Sequence, residues 1–177
     1  LFLVTTFLSA QSMKLGYKID SYDDILDIVT GEEKVNILLQ KSIFEMNKNN
    51  NQQKGIEYLL QARDLSKEIN YNEGIISSHS TLGDLYNSSG NFSEAINYYL
   101  EAAEISKSSD PLIGLYSIYT KIGFTYSEMK NYDKFIEYGN LALEVATKLT
   151  KKSVLGNANY NLALAHRGKF EYEKALE

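Results

Sequence analysis

The sequence predicts an all-α chain, a right-handed α-solenoid of repeated helix pairs, and three observations carry that expectation. The first is recurrence: Ile96-Asn97-Tyr98, then Ala102-Ala103-Glu104-Ile105, returns forty residues away on either side. The copies are Ile56-Glu57-Tyr58 with Ala62-Arg63-Asp64-Leu65, and Ile136-Glu137-Tyr138 with Ala142-Leu143-Glu144-Val145. The second is a matching column upstream, where Leu82-Gly83 and Tyr86 are answered by Ile122-Gly123 and Tyr126, then by Leu162-Ala163 and His166. The third is the spacing of apolar residues within each copy, which follows a helical period rather than strand alternation. A repeat of this kind cannot bury its apolar face alone, so it stacks on its neighbours and offers an extended surface. Such a surface points to binding rather than to chemistry.

The elements follow in chain order. Leu1 to Leu8 is apolar and Ser9-Ala10-Gln11-Ser12 supplies small residues, so residues 1–12 read as the apolar region and cleavage site of a truncated signal peptide, which implies export to the periplasm. The competing reading is an apolar strand or capping helix. Residues 13–30 form an N-terminal capping segment in which Ser21 to Val29 makes a short amphipathic helix. Ser21 caps it, Asp23 and Asp24 lie in its first turn, and Gly31 ends it. The repeat array spans 31–177, divided at about 31–70, 71–109, 110–150 and an incomplete 151–177. Helix pairs are expected near 32–47 and 52–69, 72–88 and 92–108, and 111–128 and 132–149. The polar run Asn47 to Gln53 is a turn, Asn72-Glu73 is a helix-start signal, and Asp110-Pro111 reads as an N-cap followed by the first helical position.

Small residues recur where helices must approach closely. Gly83, Gly123 and Ala163 let the two helices of a unit cross, while Ala62, Ala102 and Ala142 admit the next unit. Tyr58, Tyr98 and Tyr138 share a column that reads as core packing with the hydroxyl at the solvent edge.

The best unit, about Ile76 to Asp110, carries Leu82, Gly83, Tyr86, Gly90, Phe92, Ala95, Tyr99 and Ala102, an order that resembles the tetratricopeptide repeat family. It departs from the family pattern in having His79 for Trp and no Pro at its close. The third unit departs further, with Lys130 for the turn Gly, Phe135 for the helix-B Ala and Gly139 for the aromatic. The resemblance implies antiparallel helix pairs in a TPR-like superhelix. The long helices resemble the sensory regions of bacterial regulators. It also implies a concave groove lined by the first helix of each unit. Its second, fifth, ninth and twelfth positions are Ser77, Ser80, Asp84 and Asn87; Ser117, Thr120, Phe124 and Ser127; and Asn157, Tyr160, Leu164 and Arg167. Family members that clamp a peptide's terminal carboxylate place Lys, Arg and Asn at such positions. Here only Arg167, Asn87 and Asn157 are of those types, so the expected ligand is a peptide or partner helix in a mixed polar and aromatic groove.

Composition narrows the function classes. The 177 residues carry a net charge of −5, have no cysteine, and show no stripe of Lys and Arg, which argues against nucleic acid and excludes disulfides and thiol chemistry. No phosphate loop, zinc-protease motif or nucleophile elbow is present, and His79 and His166 occupy helix-packing columns without spaced partners. An enzyme, a cofactor and a metal site are therefore not expected, and no stretch is long enough to span a membrane. Two functions remain: the exported sensory or scaffolding part of a larger bacterial regulator, or a free-standing adaptor with no signalling output. The chain itself reads as a fragment, whose last unit is expected to fray from Asn157 or self-associate through Leu155, Leu162 and Ala163.

Overall fold

The computed structural model describes residues 22–47, 51–108, 112–149 and 151–169, and all regular elements among them are helices. They are α1 Tyr22–Leu26, α2 Gly31–Asn47, α3 Gln52–Glu68, α4 Asn72–Ser88, α5 Phe92–Ser106, α6 Ile113–Glu128, α7 Tyr132–Lys148 and α8 Lys152–Gly168. From α2 onward each helix is 15–17 residues long, so the forty-residue period is accommodated by helix length. The chain forms two compact units, residues 1–69 and 70–177.

In the first unit α2 and α3 pair along a seam made possible by Gly55. A Cβ there would collide with the Met46 side chain and lie 2.9 Å from the Ser42 carbonyl oxygen. Leu59 and Ala62 of α3 and Val35, Ile37 and Leu38 of α2 fill the interior. The Asn51 side chain caps α3 by accepting from the Lys54 amide, so helix begins inside the polar run expected to be a turn.

The N-terminal segment differs from expectation. The helix α1 stops at Leu26, and Gly31, expected to end it, instead opens α2 with φ of +57°. Glu32 and Glu33 then lie in the first turn of α2, where carboxylates suit the helix dipole. Ile25 and Val29 pack on Ile37. Asp23 does more than start a helix, since it is ion-paired to the buried ammonium of Lys41, which also sits 4.4 Å from the centre of the Tyr58 ring. Burial alone would lower the Lys41 pKa, but Asp23 and Tyr58 outweigh it and hold it above the ordinary value. The proposed Ser21 cap and the export signal lie outside the described residues.

In the second unit α4 pairs with α5, α6 with α7, and α8 packs on α7. Of the expected small columns, Gly83, Gly123, Ala102 and Ala142 are buried at the contacts, while Ala163 is half-buried. The tyrosine column packs as read: Tyr98 stacks on Tyr86 at 5.3 Å, and forty residues on Tyr138 stacks on Tyr126 at 5.7 Å. His79 is a packing residue, 1% exposed, but it does have partners. Its Nδ1 lies 2.8 Å from the Ile75 carbonyl oxygen and its Nε2 lies 2.9 Å from a Glu101 carboxylate oxygen. Helix α4 spans the expected 72–88, with Tyr71 as its N-cap, whereas α6 is helical from Ile113 rather than 111, with Pro111 outside the described residues.

The turns within units end their first helices in the same way. After α4, the Asn91 amide donates to the Tyr86 carbonyl and the Gly90 amide to the Asn87 carbonyl, with Gly90 at φ +78°. After α6, Asn131 donates to Tyr126 and Lys130 to Ser127, so Lys130 occupies the glycine position of the motif at φ +57°. A left-handed non-glycine residue costs about 1–2 kcal/mol. Lys130→Gly is therefore expected to raise the stability of the second unit by about 0.5–1 kcal/mol after the extra chain entropy of glycine is subtracted. A urea midpoint lowered by this substitution would contradict the assignment.

Candidate functional site

Gly83 brings the Tyr99 ring of α5 against α4, where a Cβ would collide with it. Tyr99 is 2% exposed, and its hydroxyl donates to Asp84 Oδ1 at 2.7 Å. From α6, Lys121 Nζ donates to the other oxygen of Asp84 at 2.7 Å and to Ser80 Oγ at 2.9 Å. One turn on, the Thr125 hydroxyl shares its proton between its own helix, at the Lys121 carbonyl, and Asn87 Oδ1, both at 2.9 Å. Ser80, Asp84 and Asn87 are thus engaged in tying α4 to α6.

Burial first, then the bond to Asp84, holds the Tyr99 pKa well above its ordinary 10.0. A raised folded value means that its stabilisation is whole below the unfolded value and is lost as pH rises beyond it. Stability should be level from about pH 8 to about pH 10 and fall above, and Tyr99→Phe should flatten part of that fall. Tyr138, shifted the same way by burial first, supplies another part. An alkaline fall identical in the Phe variant would count against this.

The next unit is built differently because two residues are exchanged. Where α5 has Ala95 and Tyr99, α7 has Phe135 and Gly139, so the aromatic moves one helical turn toward the start of the helix. Phe135 faces Gly123, where a Cβ would lie 3.1 Å from its ring, and it meets Phe124 at 5.2 Å between centroids. The room left at Gly139 is taken by Leu162 of α8, and Gly168 of α8 lies against the Tyr132 ring. Between α6, α7 and α8 this arrangement leaves a pocket of about 450 Å³ lined by Phe124, Ser127, Tyr132, Phe135, Leu164, Arg167 and Gly168. It is a shallow pocket, open to solvent, whose walls combine aromatic rings with a nearly equal share of polar surface.

Tetratricopeptide repeat profiles match residues 46–108 and 116–148. The chain belongs to the tetratricopeptide repeat family. Its fold class is the all-α repeat solenoid of that family, and the chain is a protein-interaction module. Solved structures agree on the fold. A signal-transduction ATPase with numerous domains (STAND) and a tetratricopeptide repeat sensor, from Pyrococcus horikoshii, matches with TM-score 0.78 and 23% identity over 97% of this chain and 26% of its own. The apo form of RapI matches at TM-score 0.73 and 23% identity over 87% of this chain and 56% of its own. Aspartyl phosphate phosphatase F from Bacillus subtilis matches at 0.66 and 16% over 80% and 37%. This chain thus spans about a quarter of the first of these proteins and well under two thirds of the others. No curated protein sequence matches it.

Within this tetratricopeptide repeat chain the groove candidates fall into three groups. Phe124, Ser127, Leu164 and Arg167 come together in the pocket. Ser80, Asp84 and Asn87 are bonded to α6, and Thr120 donates to the Tyr116 carbonyl of its own helix. Ser77 is half-buried, Ser117 and Asn157 are exposed, and Tyr160 is 63% exposed beyond the pocket. Sequence reasoning missed Tyr132, Phe135 and Gly168 as lining residues, and Lys121 as the bridge. The signal for Phe135 was its place in an alanine column. No helix among the described residues is long and apolar enough to cross a membrane. Nor do they contain a group of three or more potential metal-ligating side chains.

Proposed function

We infer that this chain binds a peptide or partner helix in the pocket between α6 and α8, and that it serves as the exported sensory or scaffolding part of a larger bacterial regulator. The observation that carries the binding reading is the contrast along the groove. Ser80, Asp84 and Asn87 of α4 are bonded to Lys121 and Thr125, whereas Phe124, Ser127, Leu164 and Arg167 border one open pocket. Groove recognition by a repeat array needs no catalytic group and works by burying apolar side chains of the ligand. The regulator reading draws its support from the fold shared with the sensor of a STAND protein, and export rests on residues 1–12.

Selection of a display library of random peptides of about a dozen residues against the chain tests the binding reading. Enriched peptides should bind the native chain and lose most of their affinity for Leu164→Arg, which places a charge in the pocket. No enrichment, or binding indifferent to that substitution, would overturn it. Fractionation of the native protein tests export separately: recovery from the periplasm supports it and recovery from the cytoplasm removes it. A coding sequence that ends soon after the repeats would favour the free-standing adaptor.

A further inference from the structure

Lys41 and Lys121 stand two repeat periods apart, in the same column of the first helix of a unit. Each donates to a carboxylate on an earlier element: Lys121 of α6 to Asp84 of α4, and Lys41 of α2 to Asp23 of α1. Asp23 thus does for α2 what the first helix of a preceding unit does for α6, and α1 stands in the place of such a helix. It fills that place only in part. α1 has five residues against the seventeen of α2, about 7.5 Å of helix along about 25 Å. It is held by the Asp23 ion pair and by Ile25, Leu26 and Val29, which pack on Ile37. So small a grip belongs to the least stable end of a fold. Lys41, by contrast, is fixed from within. Its side chain is buried and its ammonium lies 4.4 Å from the centre of the Tyr58 ring on α3, so it keeps its place when α1 leaves. Gly31, between the two helices, has no atom within 4 Å of where a Cβ would stand, which leaves it free to turn.

We propose that α1 is a displaceable cap, and that the face of α2 beneath it is an interaction surface for a helix of a partner chain that sets a carboxylate against Lys41 and apolar side chains against Ile37. This surface belongs to the first unit and is independent of the pocket between α6 and α8. A partner helix of three or four turns covers more of α2 than α1 does and so can displace it. Helix α4 shows the advantage of length, since it joins α6 a second time through the bond from Thr125 to Asn87. A basic or wholly apolar helix is rejected, because it would leave a buried ammonium without an acid.

A labelled peptide with the sequence of residues 21–30 is the probe, used with a chain carrying Ile25→Ser and Val29→Ser. Those substitutions loosen α1 without touching the α2–α3 seam at Gly55, Leu59 and Ala62, so helical circular dichroism should be unchanged. The loosened chain should bind the peptide at least about tenfold more tightly than the native chain, whose own α1 competes. Asp23→Asn in the peptide, or Lys41→Met in the loosened chain, should each weaken binding about tenfold, and both together little more, because they remove the same charge-assisted bond. In the native chain the amides of Asp27, Ile28 and Val29, which donate to the Asp23 and Ile25 carbonyls, should exchange with solvent at least about a hundredfold faster than the interior amides of α2. Equal protection of the two would show α1 to be a fixed part of the core and overturn the proposal, even where the loosened chain does not fold. Equal affinity of the native and loosened chains would overturn the cap. No binding to a folded loosened chain, or binding indifferent to both charge removals, would overturn the surface. Dimerisation of the loosened chain that excludes the peptide would overturn the partner helix in favour of a second copy.

Discussion

Gly83→Leu is expected to destabilise the second unit by about 3 kcal/mol, the upper end of the cost of overpacking, and Gly123→Leu by about 1 kcal/mol. The two glycines occupy the same column but face different neighbours. A side chain at Gly83 meets the Tyr99 ring, which is 2% exposed and held by its bond to Asp84, so the ring has no empty space to enter and its displacement breaks the link to Lys121 as well. At Gly123 the neighbour is Phe135, whose ring lies 3.1 Å from the Cβ position and borders the open pocket, so it can swing into that volume. The gentler substitution in stability should therefore be the harsher one for ligand binding. Urea denaturation of both variants checks the order. Equal midpoints, or a larger loss at Gly123, would contradict the packing described. Combining Gly83→Ala with Tyr99→Leu should relieve part of the cost, because the two side chains compete for the same space.

The ion pair of the first unit should respond unequally to the loss of its partners. The Lys41 side chain is 3% exposed while that of Asp23 is 72% exposed, so only the cation is withdrawn from water. Asp23→Ala leaves a buried ammonium facing the Tyr58 ring and is expected to cost about 2 kcal/mol, less than the 3–5 kcal/mol of a fully buried pair because water reaches the acid's side. Lys41→Met removes the charge and keeps the volume, so it should change stability by less than about 1 kcal/mol in either direction. The double variant should match Lys41→Met. Hydrogen exchange of the α2 amides reads the result, and equal losses for the two single variants would show that the pair is a surface contact without a buried charge.

What the sequence revealed and concealed follows from the range of each interaction. Helices α2 to α7 were legible within a few residues because the period, the small columns and the turn residues are local and repeat. The exchange of Ala95 and Tyr99 for Phe135 and Gly139 was legible as a departure from the pattern. Its consequence was not, because the cavity exists only once Leu162 from the following helix has filled the space at Gly139 and left the region near Phe124 open. The groove positions come from a position rule, which cannot say whether a neighbouring repeat already satisfies a side chain. Lys121 does so for Ser80 and Asp84 across about forty residues of sequence. Asp23 was read as a helix-start charge for the same reason: its partner, Lys41, is on another helix.

On the proposed binding reading, ligand contact is confined to the open part of the groove, between α6 and α8, and excludes the part tied by Lys121 and Thr125. Amide and side-chain chemical shifts of the chain, followed by nuclear magnetic resonance while a library-selected peptide is added, test it most directly. The expected result is a cluster of shifts at Phe124, Ser127, Tyr132, Phe135, Leu164, Arg167 and Gly168, with Ser80, Asp84 and Asn87 unmoved. Shifts centred on Ser80, Asp84 and Asn87, or on the outer faces of α5 and α7, would contradict it.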